Sequence, residues 1–158
     1  MKARIDYRTA DSKGIQLLLA VERHIASSGL DHKLLHLIKV RASQINGCAF
    51  CLDMHSKDAR AEGETEQRLY SLAAWEEAPY YSDRERAALA WTEAVTLLGE
   101  GHVCDSVYEK VRAQFSEKEI AALTLAAAMI NTWNRLNVAF RTEAGGYQPG
   151  MFKSPSPQ

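Results

Sequence analysis

The stretch Cys48-Ala-Phe-Cys51-Leu-Asp-Met-His55 joins a C-x-x-C pair to a histidine four residues after the second cysteine. On a helix, positions 48, 51 and 55 fall at i, i+3 and i+7. Both sulfurs and the imidazole then share one face over two turns. Two α-carbons at i and i+3 lie about 5–5.5 Å apart, inside the usual disulfide range of about 4.4–6.8 Å. A bridge can therefore form and break without unfolding the helix. Asn46-Gly47 breaks the preceding helix and puts Cys48 in the first turn of the next one. Unpaired N–H groups and the helix dipole favour a thiolate there. His55, one turn beyond Cys51, is placed to accept its proton.

The surrounding sequence reads as helical nearly throughout. Asp11 and Ser12 cap a helix over about 13–28, carrying Ile15, Leu18, Leu19 and Ile25 and stopped by Gly29. Asp31 caps a second helix through about Ile45, with Leu34, Leu35, Ile38 and Ala42 at helical spacing. The motif helix runs from about Cys48 to near Gly63, and Thr65 to Trp75 forms a shorter one. Ser82-x-x-Glu85 and Ser116-x-x-Glu119 are capping boxes. They open helices through about Leu98 and over about 117–141, with a further helix at 104–114 between them. Within the last helix, Ala121 to Ile130 is apolar on most faces, which predicts burial in the core or at a subunit interface. From Thr142 onward, Gly145, Gly146, Pro149, Pro155 and Pro157 predict an irregular tail that frays at its end. No strand signal, internal repeat or linker stands out. The expectation is one all-α domain over 1–158, with its core at about 15–141.

Composition narrows the function. The 158 residues are 46% hydrophobic and 25% charged, a globular balance with enough chain for a substantial core. A net charge of −1 argues against nucleic acid as a partner. No apolar run approaches the roughly 18–20 residues of a membrane span. Charges at Lys2, Arg4 and Asp6 occupy the place of a signal peptide's apolar segment, so a cytoplasmic protein is expected. In that reducing compartment a close C-x-x-C is catalytic, redox-sensing or metal-binding rather than a structural staple.

Three chemistries are open to these residues. One thiolate can attack the O–O bond of a peroxide and become a sulfenic acid, which the other sulfur condenses into a disulfide. The i+4 relation of His55 to Cys51 favours Cys51 as the attacking sulfur, with Cys48 resolving. A zinc site needs about four ligands, and Cys48, Cys51 and His55 supply three. His24, His32, His36, His102 or Cys104 are the remaining donors. A purely structural pair of buried cysteines is the third reading. A thioredoxin-like fold is disfavoured, because no strand precedes the motif.

Lys39 to His55 strongly resembles the core motif of the alkylhydroperoxidase D-like proteins of the carboxymuconolactone decarboxylase superfamily. Glu85 to Val95 and Ile130 to Phe140 resemble it too, so the likeness covers roughly 15–141. The resemblance implies an all-helical fold, homo-oligomers (often trimers or hexamers) and thiol-dependent peroxidase activity. It implies a hydroperoxide substrate, an external thiol or dithiol reductant, and no cofactor or metal. Carried over, Cys48 and Cys51 are the redox pair and His55 belongs to a proton relay. Two positions depart from the family pattern. His36 stands twelve residues before Cys48, where the prototype has a glutamate, and Phe50 stands where it has a histidine. An imidazole passes protons but offers no fixed negative charge. Glu93, in an apolar stretch without a basic residue at i±3 or i±4, is a candidate replacement carboxylate. Arg41 and Gln44 read as surface residues, Trp75, Trp91 and Trp133 as core or interface anchors, and Cys104 as an ordinary buried cysteine.

The competing functions are distinct in class. The true decarboxylases of this superfamily lack the C-x-x-C, which argues against a lactone decarboxylase here. A thiol redox sensor that reuses the fold through a protein partner is the non-enzymatic alternative.

Overall fold

A computed structural model describes residues 2–99 and 101–152. The expected fraying at Pro155 and Pro157 lies outside them. Every regular element among the described residues is helical. A single turn of helix, α1 (Tyr7–Ala10), precedes α2 (Ser12–Ala26), α3 (His32–Ile45) and α4 (Ala49–Ala61). The expected helix at 65–75 is α5 (Glu66–Tyr70) followed by a 3₁₀ turn at Leu72–Ala74. Then come α6 (Asp83–Thr96), α7 (Asp105–Arg112) and the long α8 (Glu117–Phe140). No helix among these residues is long and apolar enough to cross a membrane.

The helix ends follow local chemistry. Asp11 and Asp31 accept from the Gly14 and Lys33 N–H groups, and both capping boxes close reciprocally at Ser82–Glu85 and Ser116–Glu119. Gly29, Gly47 and Gly63 adopt positive φ just past the ends of α2, α3 and α4. A side chain there meets the Cβ penalty that glycine escapes. Arg141, at φ 58°, takes the same left-handed turn after α8 without being glycine.

Helix α3 is the hub, packed against α4, α6 and α8. One face of it (Leu34, Leu35, Ile38) meets Ala88 and Trp91 of α6 and Leu123 and Ala126 of α8. The opposite face (Leu37, Val40) meets Ala59 of α4, Leu72, Trp75 and Leu89. Near its C-terminal end, Ala42 joins Cys48, Phe50, Cys51 and Ile130 in a smaller cluster. The sulfurs therefore sit inside the packed core. Loop 75–82 is tied down by Arg86, which donates to the carbonyls of Trp75, Glu76, Ala78 and Tyr81.

The tail is irregular in backbone, as expected, but it is anchored. Residues 142–152 form no helix but lie across α4. The Gly145 N–H donates to Asp53, Lys57 donates to the Gly145 and Tyr147 carbonyls, and the Tyr147 hydroxyl donates to Asp58 at 2.7 Å. Tyr147 is buried, which explains how so polar a segment stays in place.

Candidate functional site

Cys48 is the N-cap of α4, one position before the first helical turn in which the spacing places it. Its backbone N–H donates to the Ser43 carbonyl, so the tight Asn46-Gly47 turn aims it back at α3. Its Sγ takes the place of a capping oxygen and accepts from the Cys51 N–H at 3.4 Å. Cys48 and Cys51 are both almost fully buried, at 1% and 0% exposure. Neither is freely accessible. Cys48 nevertheless lines a groove of about 470 Å³ formed with Gly47, Phe50, Asn137, Val138 and Arg141. Cys51 does not line it.

The two thiols are driven apart electrostatically. A hydrogen bond from the Cys51 thiol is the largest influence on Cys48, and backbone N–H groups of Cys51 and Phe50 add to it. Against the opposing effect of burial they hold Cys48 at about 7. Donating that bond, together with burial and the neighbouring negative sulfur, pushes Cys51 up. These influences favour ionisation at Cys48, whereas the i+4 spacing of His55 favours Cys51. Spacing measures proximity to a base, whereas the helix end supplies several N–H donors at once.

Behind the sulfurs stands a face of α8 that spacing did not single out as functional. The Asn137 Nδ2 donates to Cys51 Sγ at 3.3 Å, and the Asn137 Oδ1 accepts from the Tyr7 hydroxyl at 3.0 Å. Tyr7, Asn137, Cys51 and Cys48 thus form one polarised chain ending on the thiolate. One turn earlier, Asn134 donates to Ser43 Oγ and accepts from Asn46, and Asn131 also accepts from Asn46. The signal was present: Asn131, Asn134 and Asn137 recur every third residue in an otherwise apolar helix, and all three are buried.

His55 is buried on the same helix as the cysteines, with Nδ1 unpartnered. Burial, then the nearby Lys39 and His36, depresses its basicity well below the ordinary histidine range, so it is a neutral base at pH 7. His36 packs beside it, with ring centroids 6.4 Å apart, and its Nε2 lies 3.3 Å from Glu62 Oε2. Burial lowers His36 too, with Glu62 opposing. The structure brings His36 and His55 together. Among the described residues it joins neither ring to a cysteine by a hydrogen bond. Glu93 is in another neighbourhood. Its Oε1 accepts from Arg41 Nε at 2.5 Å and from Trp75 Nε1 at 2.7 Å, linking α3, α6 and the 3₁₀ turn. The basic partner missing at i±4 comes from a different helix, and Arg41 is half-buried rather than a surface residue. Cys104 is exposed, as the N-cap of α7, not buried.

A zinc site on Cys48, Cys51 and His55 together finds no support in the placement of donors. Among the described residues, the potential ligand atoms gathered around His55 come from His36 and Asp58 and from neither cysteine.

The sequence profile of the carboxymuconolactone decarboxylase family matches residues 16–94. The uncharacterized protein YdfG of Bacillus subtilis is 41% identical over 144 residues, covering 91% of this chain and 98% of that protein. The chain belongs to the carboxymuconolactone decarboxylase family. A crystal structure from Agrobacterium tumefaciens, of a protein of unknown function proposed as the antioxidant defence protein AhpD, is 45% identical with a TM-score of 0.89. It aligns over 92% of this chain and 100% of that one. An uncharacterized peroxidase-related protein from Silicibacter sp. TM1040 shares the fold at 21% identity, with a TM-score of 0.76 over 85% of this chain and 72% of its own. This family member is thus of the AhpD-like, all-helical type.

Proposed function

We propose that the protein is a thiol-dependent peroxidase that reduces organic hydroperoxides with the Cys48–Cys51 pair. One observation carries the reading: the sulfur that lines the groove is the one whose ionisation the Cys51 thiol and the N–H groups of the helix end favour. The Cys48 thiolate attacks the distal oxygen of the hydroperoxide. The O–O bond breaks, Cys48 becomes a sulfenic acid, and the alkoxide leaves as an alcohol after taking up a proton. The Cys51 sulfur then displaces hydroxide from the sulfenic acid and loses its own proton. Water leaves and a Cys48–Cys51 disulfide remains. An external dithiol returns the pair to the reduced state, and its two electrons balance those delivered to the peroxide. Asn137 holds Cys51 toward Cys48. His55, neutral and one turn along α4, is the base assigned to the Cys51 proton, and His36 lies beyond it. The bonds of Glu93 to Arg41 and Trp75 support reading it as a structural carboxylate. Family likeness supports a trimeric or hexameric assembly, which sedimentation velocity reads directly.

The test is peroxide consumption by the purified protein with a dithiol reductant. Wild type turns over. Cys48→Ser and Cys51→Ser each abolish turnover, and only Cys51→Ser accumulates the sulfenic acid. Undiminished turnover in Cys48→Ser overturns the reading. One equivalent of peroxide consumed per chain, with no further cycles, points instead to a redox sensor.

A further inference from the structure

We propose that His36, His55 and Asp58 form a binding site for a divalent transition metal ion, of the zinc or cobalt kind, separate from the thiols, whose occupancy would withdraw the His55 lone pair from use as a base. His55 and Asp58 stand at i and i+3 on one face of α4, with Glu62 just past its end, while His36 meets that face from α3. One ligand atom from each of His36, His55 and Asp58 lies within 4.8 Å of the other two. Three points so spaced lie no more than about 2.8 Å from a common centre. Bonds of about 2.0–2.2 Å then require each atom to move inward by at most roughly 0.8 Å, a small side-chain rotation.

A second observation points to a ligand independently of that spacing. His55 is only 7% exposed, yet its Nδ1 has no hydrogen-bond partner, and the buried Nδ1 of His36 has none either. Buried ring nitrogens are normally partnered, and a neutral imidazole nitrogen without a proton is a lone-pair donor. The surroundings decide which nitrogen of His36 that is. Glu62 Oε2 lies 3.3 Å from Nε2 and holds the ring proton there, leaving the lone pair on Nδ1. A carboxylate behind a ligating histidine is the usual outer-shell arrangement of metal sites. Asp58 is oriented in the same way, by the Tyr147 hydroxyl at 2.7 Å, which occupies Oδ1 and leaves Oδ2 open.

Charge and donor type set the ligand class. Asp58 and Glu62 bring two negative charges to match a dication. Lys39, the nearby cation, is paired with Glu22 at 2.7 Å. Two imidazoles with one carboxylate suit zinc, cobalt, nickel or ferrous iron and not the oxygen-loving calcium or magnesium. Three protein ligands leave a fourth position for water.

The experiment removes every thiol first, so that sulfur ligation cannot imitate the site. Cobalt(II) is titrated into the Cys48→Ser/Cys51→Ser/Cys104→Ser protein, followed by visible absorption and calorimetry. One cobalt per chain is expected, with no sulfur-to-cobalt charge-transfer band, and with displacement by zinc. His36→Ala and Asp58→Asn, added separately, each weaken binding at least tenfold, and Glu62→Gln weakens it by roughly 10–100-fold. Far-ultraviolet circular dichroism confirms that each variant is folded, and Asp58→Asn, at a partly exposed position, serves if His36→Ala is not. No saturable binding in the thiol-free protein, or binding that Asp58→Asn leaves unchanged, overturns the proposal. Neither outcome depends on peroxide turnover.

Discussion

Replacing Cys51 by alanine tests what makes Cys48 acidic. The Cys51 thiol is the largest of the groups that favour the Cys48 thiolate. A hydrogen bond to a charged group contributes about 1.5–3 kcal/mol. At about 1.36 kcal/mol per pKa unit, losing it raises Cys48 by about 1–2 units, from about 7 toward about 8–9. The thiolate fraction at pH 7 then falls from about half to about 1–10%. Reaction rate falls less, because a more basic sulfur is also more nucleophilic, with a Brønsted slope of about 0.4–0.5. A rate at one pH is therefore a poor readout. The better one is thiolate ultraviolet absorbance against pH, in a Cys104→Ser background that removes the exposed third thiol. The parent is expected to show a first midpoint near 7, and Cys51→Ala a single midpoint at about 8–9. Cys51→Ser, which keeps a donor, falls between. A parent midpoint at the ordinary thiol value refutes the electrostatic argument outright. An unmoved midpoint in Cys51→Ala shows that the helix end alone, not the partner thiol, sets it.

Other consequences lie in stability. Asn134→Ala removes bonds to both Ser43 and Asn46, while Ser43 keeps its bond to the Lys39 carbonyl and Asn46 its bond to Asn131, so the cost is about 1–3 kcal/mol in urea unfolding. A loss below about 0.5 kcal/mol would show that the asparagine ladder is not structural. Glu119 is held down to about 2 by the Ser116 backbone N–H, then by the Ser116 hydroxyl and by Arg84. Its folded value lies below its unfolded one, so the stabilisation is present above about pH 4.5 and is lost as pH falls through about 2. Because the group is largely solvated, we expect only about 1 kcal/mol from it. Glu119→Gln should lose that amount at pH 7 and less at pH 3, as read by denaturant midpoints. An equal loss at both pH values contradicts the charge argument.

Much of the fold was legible in the chain because its signals are short-range. Asp11, Asp31, Ser82 and Ser116 each cap a helix through atoms two or three residues away. The short α1 was not legible, since four residues carry too little periodicity to register. The 65–75 segment was read as one helix but divides at Ser71. At the site, Cys48, Cys51 and His55 were recognisable from spacing alone. The anchoring of residues 142–152 was not, because proline and glycine content reports conformational freedom and not what a tyrosine finds to pack against.

The sequence by itself determined the helices, their ends, and the presence of two sulfurs and a base on one of them. Those are consequences of hydrogen bonds and side-chain spacings within a turn or two. Tertiary structure alone decided how these groups are used. Glu93 meets Arg41 across 52 residues, Asn137 reaches Cys51 across 86, and Tyr7 reaches Asn137 across 130. Cys48 and not Cys51 lines the groove, and His36 faces Glu62 and not a cysteine. Burial and charge act through space, so which sulfur holds the negative charge follows from what α8 and the start of α4 bring beside it. No local pattern encodes that meeting.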